Sequence, residues 1–180
     1  MKNVKFLLSA ALVFLASAAL AQDFSAPQYA KWGATPEERE QNILNSNFLK
    51  ESCDNRDYDA AAHYLKGLID KIPDAAESIY QRGAVVYKNK INRAKSVAEK
   101  NMFIDSLMLM YDMRAQYFGD NVKPGKTAFI LDQKAREFLR YKPNDRKGIR
   151  EAFRAATAPT PKPWWPISRT SARIIRIPTR

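Results

Sequence analysis

Cysteine is almost missing from this chain: Cys53 is the only one among 180 residues. A single cysteine cannot form a disulfide within the chain, so a small disulfide-stapled scaffold is excluded and stability must come from packing. We expect Cys53 to be a small buried residue on the first helix. The alternative is an intermolecular disulfide.

Histidine is equally scarce, and His63 stands alone. A zinc site built on several histidines is therefore excluded, and a Ser-His-Asp or Cys-His arrangement would have to use His63, which no nucleophile elbow accompanies. We interpret His63 as a surface or partly packed residue. No constellation indicates catalysis, so we predict a protein that is not an enzyme and that uses no metal and no cofactor.

Two partial cofactor motifs are incomplete. Gly125-Lys126-Thr127 resembles the end of a phosphate-binding loop, but Asp120 stands where the first glycine is required, so we interpret it as a helix start. Thioethers that could bind Cu(I) are clustered on the predicted fourth helix, at Met102, Met108, Met110 and Met113. Met108 and Met110 point to different sides of a helix, so we assign the methionines to the core.

Long hydrophobic runs do not occur after residue 21. Lys2 and Lys5 precede an apolar stretch over residues 6–20, and Ala19-Leu20-Ala21 has the A-x-A form of a cleavage site. The stretch is short for a bilayer span of about 20 residues, which favours a cleaved signal peptide over residues 1–21 rather than a membrane anchor. We expect an exported protein that is most simply periplasmic, with secretion as the alternative.

Acidic residues are missing from residues 157–180, which hold five of the cations. The formal net charge of the chain is +11, and it falls to +9 without Lys2 and Lys5. Without the five cations of residues 157–180 as well, a mild +4 remains on residues 22–156. This distribution does not indicate a nucleic-acid partner.

Strand alternation is also missing, and helix signals follow one another instead. Thr35-Pro36-Glu37-Glu38 begins a helix that runs to about residue 53, and a second helix covers about 58–71 and is closed by Pro73. We expect a third helix to begin at a capping box of Asp74 with Glu77, and a fourth to cover about 95–118 with Gly119 as a left-handed cap. A fifth is expected over about 127–141 and a sixth from 143–145 onward. The third and fourth could also be one bent element near 90–95. We predict an all-α domain over 35–156, a helical-repeat array of about six antiparallel helices in three pairs, after a linker over 22–34.

The second helix and its exit carry the most specific pattern, made by Tyr58, Ala61, Leu65, Leu68 and Pro73. This pattern resembles the second helix of the tetratricopeptide repeat family, and Arg82-Gly83 with Val86-Tyr87 resembles a fragment of the first helix of that repeat. The segment over 102–141, especially Tyr111-Asp112-Met113-Arg114, resembles exported bacterial proteins of this type. The resemblance implies a curved array that binds a protein or peptide and assigns no catalytic residue. Our candidate binding residues are polar and lie on helices that we predict to be the first of their pair: Asn45, Lys50 and Arg82.

Five prolines interrupt residues 157–180, which we predict to be a disordered tail. An array of this kind needs a cap or a further helix, so we favour an aberrant, out-of-frame end over a native extension. A third interpretation is a membrane-active arm, in which tail residues contact anionic lipid headgroups: Trp164, Trp165, Arg169, Arg173 and Arg176. It makes a membrane-surface-binding protein our alternative function.

Overall fold

The computed structural model describes residues 22–158, and every regular element in that range is helical. A short 3-10 helix (Pro27–Trp32) precedes six α-helices. These are α1 (Pro36–Asp54), α2 (Tyr58–Lys71), α3 (Glu77–Arg93), α4 (Val97–Phe118), α5 (Lys126–Tyr141) and α6 (Arg146–Thr157). The predicted all-α class and the six helices are confirmed. The predicted signal peptide, and the predicted tail beyond residue 158, lie outside the described residues.

Side-chain caps explain where four of the helices begin. The backbone N–H of the third residue of each helix donates to the side chain just before the helix, over 2.9–3.2 Å, and these caps are Thr35, Asp57, Ser96 and Asp145. Each cap satisfies a donor that the helix itself cannot pair, which contributes about 1 kcal/mol. In α1 and α4 the third helical residue, Glu38 or Glu99, also accepts from the backbone just before the cap.

The start of α3 differs from the prediction. The residue before this helix is Ala76, without a side-chain cap, so the predicted capping box of Asp74 and Glu77 is wrong. The Glu77 carboxylate instead pairs with Arg114 and Lys126, because two cations hold an acid more strongly than one backbone N–H does. The third and fourth helices are separate elements, not one bent helix.

The end of α4 also differs from the prediction. Gly119 has a φ of −86°, so it is not a left-handed cap. A side chain at this position would place its Cβ 2.2 Å from Thr127 Oγ1 and 2.3 Å from the Ala115 carbonyl oxygen. Asp120 and Thr127 exchange two hydrogen bonds of 2.8 and 3.0 Å beside it. The glycine is therefore required by the close approach of α4 and α5.

The helices stack as successive pairs. Each helix packs against the next in sequence, and α1 also contacts α3, the first helix of the second pair. Gly83 on α3 lies where neighbouring pairs meet, because a Cβ there would come within 2.7 Å of Met110 Sδ and 3.1 Å of Leu65 Cδ2. This arrangement is the predicted helical-repeat-like array.

The core is centred on α4. Eight consecutive residues, Ser106–Met113, are buried, so this helix is covered on all sides through its middle. Met108, Met110 and Met113 are among them, which places these methionines in the core. At the start of the helix, Val97 is 77% exposed.

Residues 22–34 contain structure that the prediction of a linker did not include. The Arg39 guanidinium of α1 donates to the carbonyl oxygens of Gly33 at 2.9 Å and Phe24 at 3.1 Å. Asn42 Nδ2 donates to the Trp32 carbonyl oxygen at 2.7 Å. These bonds tie the 3-10 helix to α1, so residues 24–33 pack as part of the folded unit.

Candidate functional site

The three candidate binding residues lie on α1 and α3. Asn45 is half-buried and accepts from Gln41 at 3.1 Å, while Lys50 is exposed and pairs with Asp54 at 2.6 Å. Arg82 is half-buried on α3. No hydrogen bond or ion pair joins any two of the three within residues 22–158. Their role in binding stays a prediction.

Arg82 lies close to the only cysteine of the chain. Burial raises the pKa of the Cys53 thiol, and the nearby Arg82 guanidinium partly opposes that shift. Cys53 is half-buried on α1, so the expected full burial is only partly met. The proximity places the middle of α3 against the end of α1.

Exposed apolar side chains mark the first helix of each pair. Leu44 on α1, Val85 on α3 and both Phe129 and Leu139 on α5 are between 41% and 56% exposed. In the described range, the other large apolar side chains with such exposure are at the first residue of α4 and in the loop before α5. We call these four residues the first-helix apolar set.

A charged cluster joins α3, α4 and α5 at one end. Glu77 Oε1 accepts from Arg114 Nε at 2.9 Å, and Glu77 Oε2 pairs with Lys126 Nζ at 2.6 Å. Arg114 Nη1 also donates to Gln133 Oε1 at 2.9 Å. Desolvation would raise the pKa of Glu77, but the two hydrogen-bonded cations outweigh it and lower that pKa.

A second cluster joins α3, α4 and α5 nearer the C-terminal ends of α3 and α5. Lys88 on α3 pairs with Glu137 on α5, and Tyr111 on α4 lies beside this pair. Burial raises the pKa of the Tyr111 hydroxyl, although the Lys88 ammonium partly opposes that shift. The two α3–α5 pairs are eleven residues apart on each helix, so α3 and α5 run parallel and in register.

A third pair lies between the two clusters and is buried. Lys134 Nζ on α5 is 2.7 and 2.6 Å from the two carboxylate oxygens of Asp112 on α4. Their side chains are 2% and 0% exposed. Burial raises the pKa of Asp112 to about 6 against the attraction of Lys134, and burial likewise lowers the pKa of Lys134.

The cluster around Glu77, the Lys88–Glu137 cluster and the Asp112–Lys134 pair hold the second and third pairs of helices in one relative position. We call these three groups together the charged junction. Glu77 and Arg114 join α3 to α4, and the other pairs join α5 to α3 or α4, so together they constrain how α5 sits on α3 and α4. The Asp112–Lys134 pair is closed to solvent.

The sequence does not predict the charged junction as a cluster. It assigns Glu77 to a cap and Lys126 to a helix start, and Asp112 and Arg114 belong only to a resemblance. A usable signal existed for Asp112, the only charged residue among Ser106–Met113, and for Lys134, which falls on the same stripe as Ile130 and Leu131. A charge on an apolar stripe indicates a buried partner elsewhere. Lys88 and Glu137 carry no comparable signal.

The partial motifs have ordinary structural roles. Lys126 begins α5, as the interpretation of Gly125-Lys126-Thr127 as a helix start predicts, and its ammonium is engaged by Glu77. His63 is exposed, with its ring 5.7 Å from that of Tyr64. Within residues 22–158, no group of three or more His, Cys, Asp or Glu residues is placed to hold a metal ion.

The comparisons with known proteins give no relative. No protein family, no curated protein and no solved structure matches this chain. Among the helices described, none has both the length and the apolar character needed to cross a bilayer. The predicted membrane-contacting residues of the tail (Trp164, Trp165, Arg169, Arg173, Arg176) lie outside the described residues.

Proposed function

We propose that this protein is a non-enzymatic, tetratricopeptide-like scaffold that binds a protein or peptide in the cell envelope. The observation that carries the proposal is the first-helix apolar set. In stacked helical pairs, the corresponding helices of successive pairs line one extended surface. Apolar side chains left exposed on such a surface favour a partner that covers them.

The charged junction supports this role through rigidity. A partner that contacts α3 and α5 together loses affinity if the two helices move against each other, because ordering them then opposes binding. The ion pairs at two levels keep α3 and α5 at a fixed spacing. Location in the envelope rests on the predicted signal peptide over residues 1–21.

Site-specific photo-crosslinking tests the proposal. A photoreactive phenylalanine analogue is placed at Val85 in the full-length chain, expressed in its native cells, and the adducts are identified by mass spectrometry. The matched control places the analogue at Gly67, which is exposed on α2 with no atom within 4 Å of an added Cβ. We expect a discrete adduct from Val85 and none from Gly67.

Binding of the identified partner to the purified protein then gives a second criterion. A Val85→Asp variant should weaken the partner's affinity about tenfold or more, as at a central interface position. The same adduct at equal yield from Gly67, or an unchanged affinity for the Val85→Asp variant, contradicts the proposal.

A further inference from the structure

The last described helix, α6, turns four cations toward solvent. Arg146, Lys147, Arg150 and Arg154 are all exposed. None of them makes an ion pair or a side-chain hydrogen bond within residues 22–158. We call these four residues the α6 cationic stripe.

The stripe occupies one side of the helix. At 100° per residue its four members fall within an arc of about 100°. Ala152 and Ala156 are buried on the opposite side, where α6 packs against α5. The apolar side of α6 is therefore used in folding, and the cationic side is exposed among residues 22–158. Glu151 is the one exposed acid within the helix, at the edge of the stripe.

On other helices, three cations pair with an acid one helical turn away. Lys50 pairs with Asp54 at 2.6 Å, Lys66 with Asp70 at 2.5 Å and Arg136 with Asp132 at 2.7 Å, each one helical turn away. On α6 the corresponding spacing joins Arg146, Arg150 and Arg154, which are like charges, and only Lys147 has an acid, Glu151, at that spacing. Like charges at this spacing destabilise a helix. An external anionic surface compensates that repulsion.

We propose that the α6 cationic stripe docks the protein onto an anionic phospholipid surface. The cations stand on the outer side of an exposed helix rather than in a groove, which suits a flat layer of headgroups. The sequence that follows continues with five more cations, no acid, and the adjacent Trp164 and Trp165. Tryptophan is enriched at bilayer interfaces, which favours a lipid surface over an acidic protein.

This inference goes beyond protein binding and uses different residues. The α6 cationic stripe and the first-helix apolar set share no member, so either proposal can fail alone. Each cation held against an anionic leaflet increases binding about fivefold, which is the equivalent of about 1 kcal/mol.

Vesicle sedimentation with the purified full-length chain tests the inference. Vesicles of phosphatidylcholine alone are compared with vesicles that also contain phosphatidylglycerol. We expect binding that depends on phosphatidylglycerol and weakens as salt is added. A variant with Arg146, Lys147, Arg150 and Arg154 all changed to Gln should bind at least about tenfold more weakly.

The matched control has the same change in net charge elsewhere on the surface. It carries Gln in place of four exposed lysines: Lys31, Lys71, Lys95 and Lys100. It should keep its binding to within about twofold, because its charges lie outside the docked surface. Melting curves verify that both variants fold, and an Arg150→Gln, Arg154→Gln variant should show an intermediate loss.

Four outcomes overturn the inference. The first is no dependence on phosphatidylglycerol in the wild-type chain. The second is equal loss in the stripe variant and the control, which reports net charge alone. The third is a loss confined to a Trp164→Ala, Trp165→Ala variant, which assigns binding to the tail. The fourth is displacement of the protein from vesicles by polyglutamate at equal charge, which identifies an acidic protein as the better partner.

Discussion

At the scale of single residues, the buried Asp112–Lys134 pair has the largest energetic consequence. Removing two charges from water costs several kcal/mol per ion, and here the cost is offset by two short contacts between the partners. Breaking the pair leaves a charge buried without its main counter-ion. The pair is therefore sensitive to loss of one member and tolerant of loss of both.

We predict that Asp112→Asn lowers the free energy of unfolding by about 3–5 kcal/mol, measured by urea denaturation. The double variant Asp112→Leu, Lys134→Met removes both charges at similar volume, and its stability should return to near that of the wild type. A double variant as unstable as the sum of two single losses would show that the pair is not coupled.

Gly119 tests the packing between α4 and α5, and Gly67 on α2 is its control. Gly119→Ala forces a Cβ against the Thr127 hydroxyl of α5 and the Ala115 carbonyl oxygen of α4, so we predict a loss of about 1–3 kcal/mol of stability. Gly67→Ala adds a Cβ in open space on α2 and should gain about 0.5–1 kcal/mol from the lower entropy of the unfolded chain. Thermal melts of both variants measure the difference, and a neutral Gly119→Ala contradicts the close approach.

At the scale of elements, the contribution of Glu77 to holding α3 against α4 and α5 depends on pH. Its pKa is lowered in the folded state, so the carboxylate contributes stability above its ordinary pKa of 4.5. That stability is lost as the pH falls from about 4.5 through the lower folded value. Protonation removes the acceptor that holds both Arg114 and Lys126.

We predict that Glu77→Gln costs about 1.5–3 kcal/mol at neutral pH, the range for hydrogen bonds to charged groups. The unfolding free energies of variant and wild type should converge as the pH falls below about 4.5. Asp112 is present in both proteins, so its titration cancels, and the difference between the two unfolding free energies reports Glu77. Glu51→Gln, on the exposed side of α1, is the control and should change little at any pH. A constant gap across the pH range would contradict the assignment.

Helix boundaries were predictable where their causes are local. Thr35 caps a backbone N–H three residues on, and α2 ends just before Pro73, so a short window contains all the information. Glu77 failed as a cap because its partners are 37 and 49 residues away. Gly119 failed as a left-handed cap because its close neighbour is Thr127 on the next helix. No local pattern encodes those approaches.

At the scale of the whole molecule, the number and class of the helices followed from periodicity, whereas the contacts between pairs did not. Helical spacing shows that a stripe is apolar, but it does not show which neighbour covers it. The candidate residues Asn45, Lys50 and Arg82 came from element positions alone. The charged junction instead depends on three helices meeting, which becomes visible only in the folded chain.

The two ion pairs between α3 and α5 also limit how this protein can change length. Eleven residues are close to three helical turns, so both pairs lie on nearly the same side of each helix. A single-residue insertion or deletion between Glu77 and Lys88 rotates one pair by about 100° and shifts it by about 1.5 Å, which separates its partners. Only changes that are equal in both helices and close to a whole number of turns preserve the two contacts. We therefore expect length changes to be tolerated in the loops and not between these ion pairs.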